Sequence, residues 1–319
     1  MSGASFARAP LTGLAVGDAL GMPFETAYAD AYVLVQWKGG YVKPAPPNHH
    51  KLEAGQFTDD TQMSMALAEH LVEHGFYDPG KAAEKYLDWY RSGDCRGIGT
   101  STRKALERMA AGAPWHDAGE KGAEGNGSAM RAGMIGVFHH RGMQRLGAAA
   151  DWARVDARVT HRSEEAAEAS AAMAVALSHL SSGGSREELL DVVLSQTQKT
   201  RVHFALEDLS RTIRTHKERG MGNIFREWIM EANYGPRGPS ARACESVPAA
   251  FAAFLSAKTF LETVESAIRA GGDTDSVASM AGSMAGAFWG LHNIPEDLVN
   301  GLERHDEIRQ LELHLLGAP

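Results

Sequence analysis

Residues 271–291 read GGDTDSVASMAGSMAGAFWGL, and the fold and the chemistry predicted from this sequence both start from that stretch. From Val277 to Leu291 it is rich in Ala, Gly, Ser and Met, and residues this small allow helices to pack closely. We therefore predict a central, buried helix here. Asp273 and Asp275 stand at its start, and a matching cluster, TDDT at residues 58–61, precedes another apolar, helix-periodic segment.

The two acidic clusters predict a metal site. Aspartates this close repel one another, and their burial is unfavourable unless a positive charge compensates them. A lone Asp before a helix is usually an N-cap, but a cap needs one carboxylate and each cluster has two. Hard oxygen ligands without cysteine suit Mg²⁺, Mn²⁺ or Ca²⁺. We expect both ends of the chain to surround a pair of such cations, roughly 3.5–4 Å apart.

Helical periodicity extends along most of the chain, and no segment alternates convincingly with the period of a strand. We predict one all-α domain over residues 1–319 with ten or more helices, because the acidic clusters lie on both sides of the linker-like stretch 235–239. Long loops are expected at residues 38–56, 112–127 and 220–248. Besides Val277–Leu291, the predicted helices cover residues 11–22, 63–72, 82–90, 102–109, 130–138, 164–180, 187–194, 206–215 and 249–255.

Composition argues against several classes of protein. Asp and Glu number 40 against 32 Lys and Arg, a formal net charge of −8. This disfavours nucleic acid as a partner, since nonspecific binding to phosphates needs clustered Lys and Arg. Cys95 and Cys244 are too few for a disulfide framework, so we expect a cytoplasmic protein. No window approaches the roughly 20 apolar residues of a membrane span, and without a coiled-coil heptad we expect a monomer.

Residues 125–131, GNGSAMR, end a glycine-rich loop and open a helix. Free backbone N–H groups at such a junction bind anions, and the Ser128 hydroxyl can contribute. The alternative is an ordinary glycine turn with Ser128 as N-cap. His161 stands just before another helix, where it is either a ligand-binding residue or a solvated, capping one. His49 and His50 lie in a proline-rich loop and are expected to be solvated.

A further cluster, GDALG at residues 17–21, is followed by Glu25. Asp18 lies inside an apolar, small-residue helix and needs a buried partner, so structural hydrogen bonding is its expected role. Glu25 follows the helix and is expected to take part in catalysis or ligation. Residues 273–277, DTDSV, also match the pattern of phosphatases with an aspartyl nucleophile. That interpretation requires a buried strand before the motif, whereas a helical segment and two glycines stand there.

Five motifs, taken in order, resemble the ADP-ribosylglycohydrolase family and span nearly the whole chain: residues 17–21 with Glu25, 56–61, 125–131, 160–161 and 271–276. The resemblance implies a compact all-α fold with a central binuclear Mg²⁺ or Mn²⁺ site. It implies metal ligation by Thr58, Asp59, Asp60, Asp273, Asp275 and Ser276. It also implies that Glu25 lies beside the metals on a loop able to close over the ligand. The implied ligands of the ADP-ribose diphosphate are Gly125, Asn126, Gly127 and Ser128, with His161 nearby.

The activity implied by the resemblance is hydrolysis of the bond between ribose C1″ and an amino-acid side chain, most often arginine, which releases ADP-ribose from a modified protein. The cations would hold the 2″ and 3″ hydroxyls and activate the attacking water. We expect Glu25 or Asp60, with Asp59 as a further option, to accept the proton of that water. A two-carboxylate glycosidase scheme with Glu25 as the acid is the alternative.

One departure from the family concerns the linkage. Members that act on arginine commonly carry Cys-Phe-Asp-Ile-Gly beside the distal ribose. This chain has CRGIG at residues 95–99, so Gly97 replaces the acid and Arg96 adds a positive charge. A carboxylate there would pair with a guanidinium, and Asp94 is the nearest replacement. Other substrates therefore stay open: serine-linked ADP-ribose, O-acetyl-ADP-ribose, and small-molecule or nucleic-acid adducts. A non-catalytic ADP-ribose-binding protein is the remaining alternative.

Overall fold

The computed structural model describes residues 8–27, 37–45, 48, 50–140, 146–216, 228, 234 and 237–317. Their regular secondary structure is almost entirely helical, which confirms the predicted all-α fold. Their fifteen helices are α1 Pro10–Gly21, α2 Asp59–His74, α3 Pro79–Ser92, α4 Thr100–Ala110, α5 Trp115–Ala118, α6 Ala129–His139, α7 Leu146–Thr160, α8 Glu164–Ser181, α9 Leu189–Gln196, α10 Arg201–His216, α11 Ala243–Ser256, α12 Phe260–Arg269, α13 Thr274–Trp289, α14 Glu296–Asn300 and α15 His305–Leu316.

Each helix predicted from periodicity corresponds to one of these helices, whereas α5, α7, α12, α14 and α15 were not predicted individually. A short 3₁₀ helix follows α1 at Met22–Phe24, and another follows α13 at Leu291–Asn293. The predicted loops at 38–56 and 220–248 lie partly outside the described residues, as does the stretch 235–239. The last part of the second prediction is wrong, because α11 begins at Ala243. Among the residues that are described, no helix has the length and apolar character needed to cross a membrane.

The antiparallel pair of α1 and α13 forms the centre of the fold. All of α1 is buried, as is α13 from Thr274 to Ala287. The two backbones approach so closely that a Cβ added at Gly17 would lie 2.1 Å from the carbonyl oxygen of Ala278. Only glycine permits such contact. The small residues of α13 therefore bring the start of the second acidic cluster against the end of α1, where Thr274 Oγ1 donates to the carbonyl oxygen of Gly21 at 2.8 Å.

The predicted loop at 112–127 contains two short elements that sequence periodicity did not indicate. One is α5 and the other is β1, Glu120–Lys121, which pairs in parallel with β2, His161–Arg162. Elements of two to four residues are too short to have a measurable period, so only tertiary pairing reveals them. Through this pairing the segment that leads to the glycine loop is tied to His161, since Glu120 and His161 are register partners.

Candidate active site

A cavity of about 270 Å³ lies where the first residues of α2, α4, α6 and α13 face one another. One end of it, called the acidic end below, is lined by carboxylates from both ends of the chain: Glu25, Asp59, Asp60, Asp273 and Asp275. The other end, called the loop end, is lined by Gly125, Asn126, Gly127 and His161. Residues far apart in the sequence thus share one cavity.

Asp18 holds the first acidic cluster in place. Its carboxylate accepts hydrogen bonds from the backbone N–H of Thr58 at 3.1 Å and of Thr61 at 3.0 Å. It also accepts from the hydroxyls of Thr58 at 2.9 Å and Thr61 at 2.6 Å. The Thr58 side chain does not cap α2 itself, so Asp18 satisfies the helix N-terminus from α1. This is the structural role expected of Asp18, and its burial raises its pKa.

The Gly-Gly pair before the second cluster positions Glu25. Gly271 and Gly272 both have left-handed backbone angles, with φ of 73° and 74°, a conformation that glycine adopts without strain. The Gly272 N–H donates to the carbonyl oxygen of Ala27 at 2.9 Å, and the Thr26 N–H donates to that of Gly272 at 2.7 Å. Glu25 is therefore held beside the start of α13. Residues 28–36 lie outside the described part of the chain, so closure of this loop stays a prediction.

The second cluster makes its hydrogen bonds across the cavity. Asp273 does not cap α13 with its side chain, and its Oδ2 accepts from Asn126 Nδ2 at 2.6 Å. Asp60 accepts from Ser279 Oγ at 2.7 Å and from Ser276 Oγ at 3.2 Å. The capping explanation for Asp273 is thereby removed, and the charges of the two clusters face each other.

Burial of these carboxylates shifts their ionisation strongly. Desolvation, and then the charge of Asp18, raises the pKa of Asp59 to about 7 and that of Asp60 well above its usual range. Desolvation, and then Glu25, raises the pKa of Asp273 to about 6 and that of Asp275 well above its usual range. The described residues that line the cavity include no Lys or Arg. Buried carboxylates whose negative charge no neighbouring Lys or Arg balances are suited to bind hard divalent cations.

Two backbone donors lie next to the loop end of the cavity. Among the described residues, the N–H groups of Gly127 and Ser128 at the start of α6 have no acceptor. His161 lies beside them, since a Cβ added at Gly125 would be 3.3 Å from His161 Nε2. The Ser128 side chain does not line the cavity, because its Oγ lies 3.0 Å from that of Ser170 on α8. The Ser128 hydroxyl therefore belongs to the contact with α8 rather than to the cavity.

Two contributors were missed by the sequence analysis, His50 and Ser279. The expectation that His50 is solvated is wrong: its side chain is 5% exposed and Nε2 contacts a carboxylate oxygen of Glu25. A ligand atom of each of Glu25, His50 and Asp275 lies within 4.8 Å of the others, close enough to hold an ion. No local pattern signals this contact, whereas Ser279 follows Ser276 by three residues on one helix face and was detectable. His49 lies outside the described residues.

The loop at residues 95–99 contributes backbone rather than charge to the cavity. Gly97 lines it with a φ of 75°, and a Cβ added there would lie 3.0 Å from Asp59 Oδ1. Arg96 is turned to Glu303 and to Asp94, whose Oδ2 accepts from Nη2 at 2.9 Å. Asp94 is thus occupied by Arg96 and does not line the cavity, so it does not replace the acid missing at Gly97.

Comparison with known proteins agrees with this geometry. A family model described as ADP-ribosylglycohydrolase matches residues 4–319. The chain is 28% identical to the ADP-ribosylarginine hydrolase Tri1 of Serratia proteamaculans, over 96% of this chain and 77% of that protein. It is 27% identical to the ADP-ribosylhydrolase ARH3 of Mus musculus, over 94% and 88%. A solved structure of an ADP-ribosylglycohydrolase-related protein complex superposes with a TM-score of 0.75 at 31% identity, covering 97% of this chain and 96% of that one. The chain therefore belongs to the ADP-ribosylglycohydrolase family, as its five motifs predict, and this membership supports an ADP-ribosyl hydrolase activity.

Proposed function

We propose that this protein is a divalent-metal-dependent hydrolase that removes ADP-ribose from modified protein side chains, with ADP-ribosyl-arginine as the first substrate to test. The observation that carries the proposal is the meeting of residues 59–60 and 273–275 in one buried cavity beside an N–H-rich glycine loop. An acidic end and an anion-binding end suit a ligand with a ribose at one side and a diphosphate at the other. The similarity to an ADP-ribosylarginine hydrolase supports the arginine linkage.

Two Mg²⁺ or Mn²⁺ ions are the proposed cofactors. Such cations, when bound, supply positive charge for the ribose hydroxyls and lower the pKa of water. The hydroxyls of Thr58 and Ser276 donate to Asp18 and Asp60, and an oxygen that donates its proton keeps lone pairs for a cation. The proposed metal-holding residues are Thr58, Asp59, Asp60, Asp273, Asp275 and Ser276.

Glu25 is the preferred proton acceptor in this proposal. Both oxygens of Asp60 already accept hydrogen bonds, from Ser276 and Ser279, so lone pairs on each are engaged and the carboxylate is fixed in place. Glu25 lines the cavity from a segment tied to Gly272. We therefore assign to Glu25 the removal of the proton from the water that attacks C1″, and to Asp60 the holding of metal.

The loop end has the complementary task. The N–H groups of Gly127 and Ser128 stand at a helix N-terminus, where backbone donors and the helix dipole favour anions. We assign to them, with the backbone of Gly125 and Asn126, the binding of the diphosphate. His161 lines the same end of the cavity and is buried, which suits a donor to a phosphate oxygen.

A second candidate is hydrolysis of another ADP-ribosyl linkage. It is favoured by one observation: the loop at residues 95–99 offers Gly97 to the cavity, while the neighbouring Asp94 is held by Arg96. A guanidinium leaving group would find no carboxylate from this loop. Serine-linked ADP-ribose and O-acetyl-ADP-ribose carry no such positive charge and need no counter-ion there.

A release assay tests both candidates. Arginine-linked and serine-linked ADP-ribosyl substrates are incubated with the protein in Mn²⁺, in Mg²⁺ or in chelator, and the ADP-ribose released is measured. We expect release from the arginine linkage that is lost in chelator and restored by either cation. Activity indifferent to chelator would contradict the metal assignment. Release from serine linkages alone would make the second candidate the function. Asp273→Ala, checked for folding by circular dichroism, serves as the inactive control.

A further inference from the structure

A buried ion pair lies behind the glycine loop, and the proposed function does not use it. Arg131 Nε donates to Asp156 Oδ2 at 2.8 Å, and both side chains are 0% exposed. Asp156 Oδ1 also accepts from the hydroxyls of Tyr86 at 2.8 Å and Tyr77 at 3.2 Å. The Arg131 guanidinium stands 4.5 Å from the centre of the Tyr86 ring. The pair is fully compensated inside the protein, and its geometry is fixed from several sides.

The remaining donors of Arg131 extend to the loop end of the cavity. Nη1 donates to the carbonyl oxygen of Gly127 at 2.8 Å and to Thr160 Oγ1 at 3.1 Å. Gly127 belongs to the glycine loop, and Thr160 directly precedes His161. The Arg131 guanidinium therefore connects Gly127 in the glycine loop to Thr160, the residue that precedes His161.

These hydrogen bonds favour one position for the proton of His161, because the Thr160 hydroxyl proton is satisfied only if the ring nitrogen accepts it. Arginine only donates, so Thr160 Oγ1 accepts from it. Among the described residues, the Thr160 hydroxyl proton then has one acceptor, His161 Nδ1 at 2.9 Å. A ring whose Nδ1 accepts carries its proton on Nε2. Burial, and then the charge of Arg131, lowers the pKa of His161 to about 3, so the ring is neutral at neutral pH.

We propose that Arg131 and Thr160 are positioning residues that fix His161 as the Nε2–H tautomer, so that Nε2 donates to an anionic oxygen of the ligand. Within the described chain Nε2 has no other acceptor, and it lies against Gly125. A neutral donor suits an anion that must be released as part of the product, because it binds without a full opposite charge. The identity of that anion, the diphosphate of ADP-ribose, rests on the proposed function.

The tautomer is measured directly. The full-length protein is labelled with ¹⁵N-histidine, His161 is assigned by comparison with His161→Gln, and long-range ¹H–¹⁵N correlation spectra distinguish Nε2–H from Nδ1–H at neutral pH. Thr160→Val removes the hydroxyl at nearly constant volume, and Thr160→Ser restores it. We expect wild type and Thr160→Ser to carry Nε2–H, and Thr160→Val to populate Nδ1–H. A merely structural role for Thr160 would leave the tautomer of the folded variant unchanged.

The consequence for binding is measured by calorimetry with ADP-ribose and Mg²⁺. We expect Thr160→Val to bind about tenfold more weakly, the size of a hydrogen bond to a charged group, and Thr160→Ser to bind within about twofold of wild type. An Nδ1–H tautomer in wild type overturns the proposal, and so does a Thr160→Val variant that binds as tightly as Thr160→Ser. If wild type fails to bind ADP-ribose, the proposed function is contradicted, and the tautomer alone then supports or overturns the role of Thr160.

Discussion

The two ends of the cavity bury charge to a similar extent but compensate it in opposite ways. At the acidic end, Asp59, Asp60, Asp273 and Asp275 are buried around a cavity whose described lining has no Lys or Arg. Behind the loop end, Arg131 and Asp156 neutralise each other at 2.8 Å. Within the described residues, the first group of charges has no Lys or Arg in the cavity lining to compensate it, whereas the second is complete.

This difference distinguishes the acidic end, which is proposed to bind ligand, from the Arg131–Asp156 pair, which supports the loop end. Buried carboxylates without a protein cation are unfavourable for folding, and they are retained where a cation or a substrate compensates them. A balanced buried pair has its charges satisfied within the protein, so it suits the positioning of neighbouring residues. Each of the following tests asks whether the two ends respond differently, as that distinction requires.

The largest expected effect is that of Asp275→Asn. An amide is a poorer metal ligand than a carboxylate, so we expect ADP-ribose release to fall at least about a thousandfold, roughly 4 kcal/mol of transition-state stabilisation. In chelator at pH 8 the same variant is expected to melt at a higher temperature than wild type. Burial and the charge of Glu25 raise the pKa of Asp275. The ionised carboxylate is therefore unfavourable in the metal-free fold, and the neutral amide of Asn avoids this cost.

Asp94→Asn is the matched control, because Asp94 is an exposed aspartate that pairs with Arg96 away from the cavity. It should keep release within about twofold of wild type, since exposed ion pairs contribute about 0–1 kcal/mol, and should gain no thermal stability. A fully active Asp275→Asn variant would remove Asp275 from the metal site. A loss no larger than that in Asp94→Asn would show that release does not depend on the carboxylate at the acidic end.

The second test is the pH dependence of stability without metal. The pKa of Asp273 rises from about 3.8 to about 6 in the fold. Between these values the unfolded chain releases this proton and the folded chain keeps it, so the free energy of unfolding falls as pH rises. The loss for Asp273 is about 3 kcal/mol, and Asp59, with a pKa of about 7, extends it toward neutrality.

Urea unfolding in chelator from pH 4.5 to 7.5 measures this loss, and the same series in saturating Mg²⁺ is the control. With the cation bound, the ionised carboxylates are stabilised and the loss should disappear. A metal-free protein whose stability does not change over this range would show that the acidic end is compensated within the chain.

The third test concerns Asn126, which belongs to both ends. Its backbone starts the glycine loop, while Nδ2 donates to Asp273 Oδ2 at 2.6 Å and to Ser246 Oγ at 3.0 Å. Asn126→Ala leaves Asp273 without its orienting donor, and we expect metal affinity to fall about 10- to 100-fold, measured by Mn²⁺ titration. Ser246→Ala removes only the other contact and should stay within about threefold. Equal losses in both variants would indicate general loosening rather than orientation of Asp273.

What could be predicted from sequence was local or repeated. The small residues of α13 predicted a buried helix, and the close contact of Gly17 with Ala278 shows why they are small. The acidic pairs could be recognised because two carboxylates exceed what a helix cap requires. The family and the all-α fold followed from these motifs and are confirmed.

What could not be predicted depends on side-chain direction and on contacts between distant segments. The contact of His50 with Glu25 joins two loops, and the bond from Arg131 to Thr160 joins α6 to the end of α7. Neither follows from spacing along one helix. The motif also leaves the direction of the Ser128 side chain undetermined, because only the packing of α6 against α8 turns its hydroxyl toward Ser170.

The smallest expected effects come from two neighbouring residues of the glycine loop. A Cβ at Gly127 would lie 3.0 Å from Cε1 of His161 and 3.2 Å from Thr102 Oγ1, so Gly127→Ala crowds the imidazole. We expect ADP-ribose to bind about tenfold more weakly, the loss of about one hydrogen bond to a charged group. The Ser128 hydroxyl faces Ser170 instead, so Ser128→Ala should weaken binding by less than about threefold and lower the free energy of unfolding by about 1 kcal/mol.

Calorimetry with ADP-ribose and urea unfolding of both variants separate these outcomes. Loss of affinity without loss of stability is expected for Gly127→Ala, because the added methyl group meets a side chain of the binding end rather than the packed core. The reverse is expected for Ser128→Ala, because its hydroxyl belongs to the packing between α6 and α8. If Ser128→Ala weakens binding as much as Gly127→Ala does, the hydroxyl reaches the ligand. The loop end would then recognise its anion with side chains as well as with backbone N–H groups.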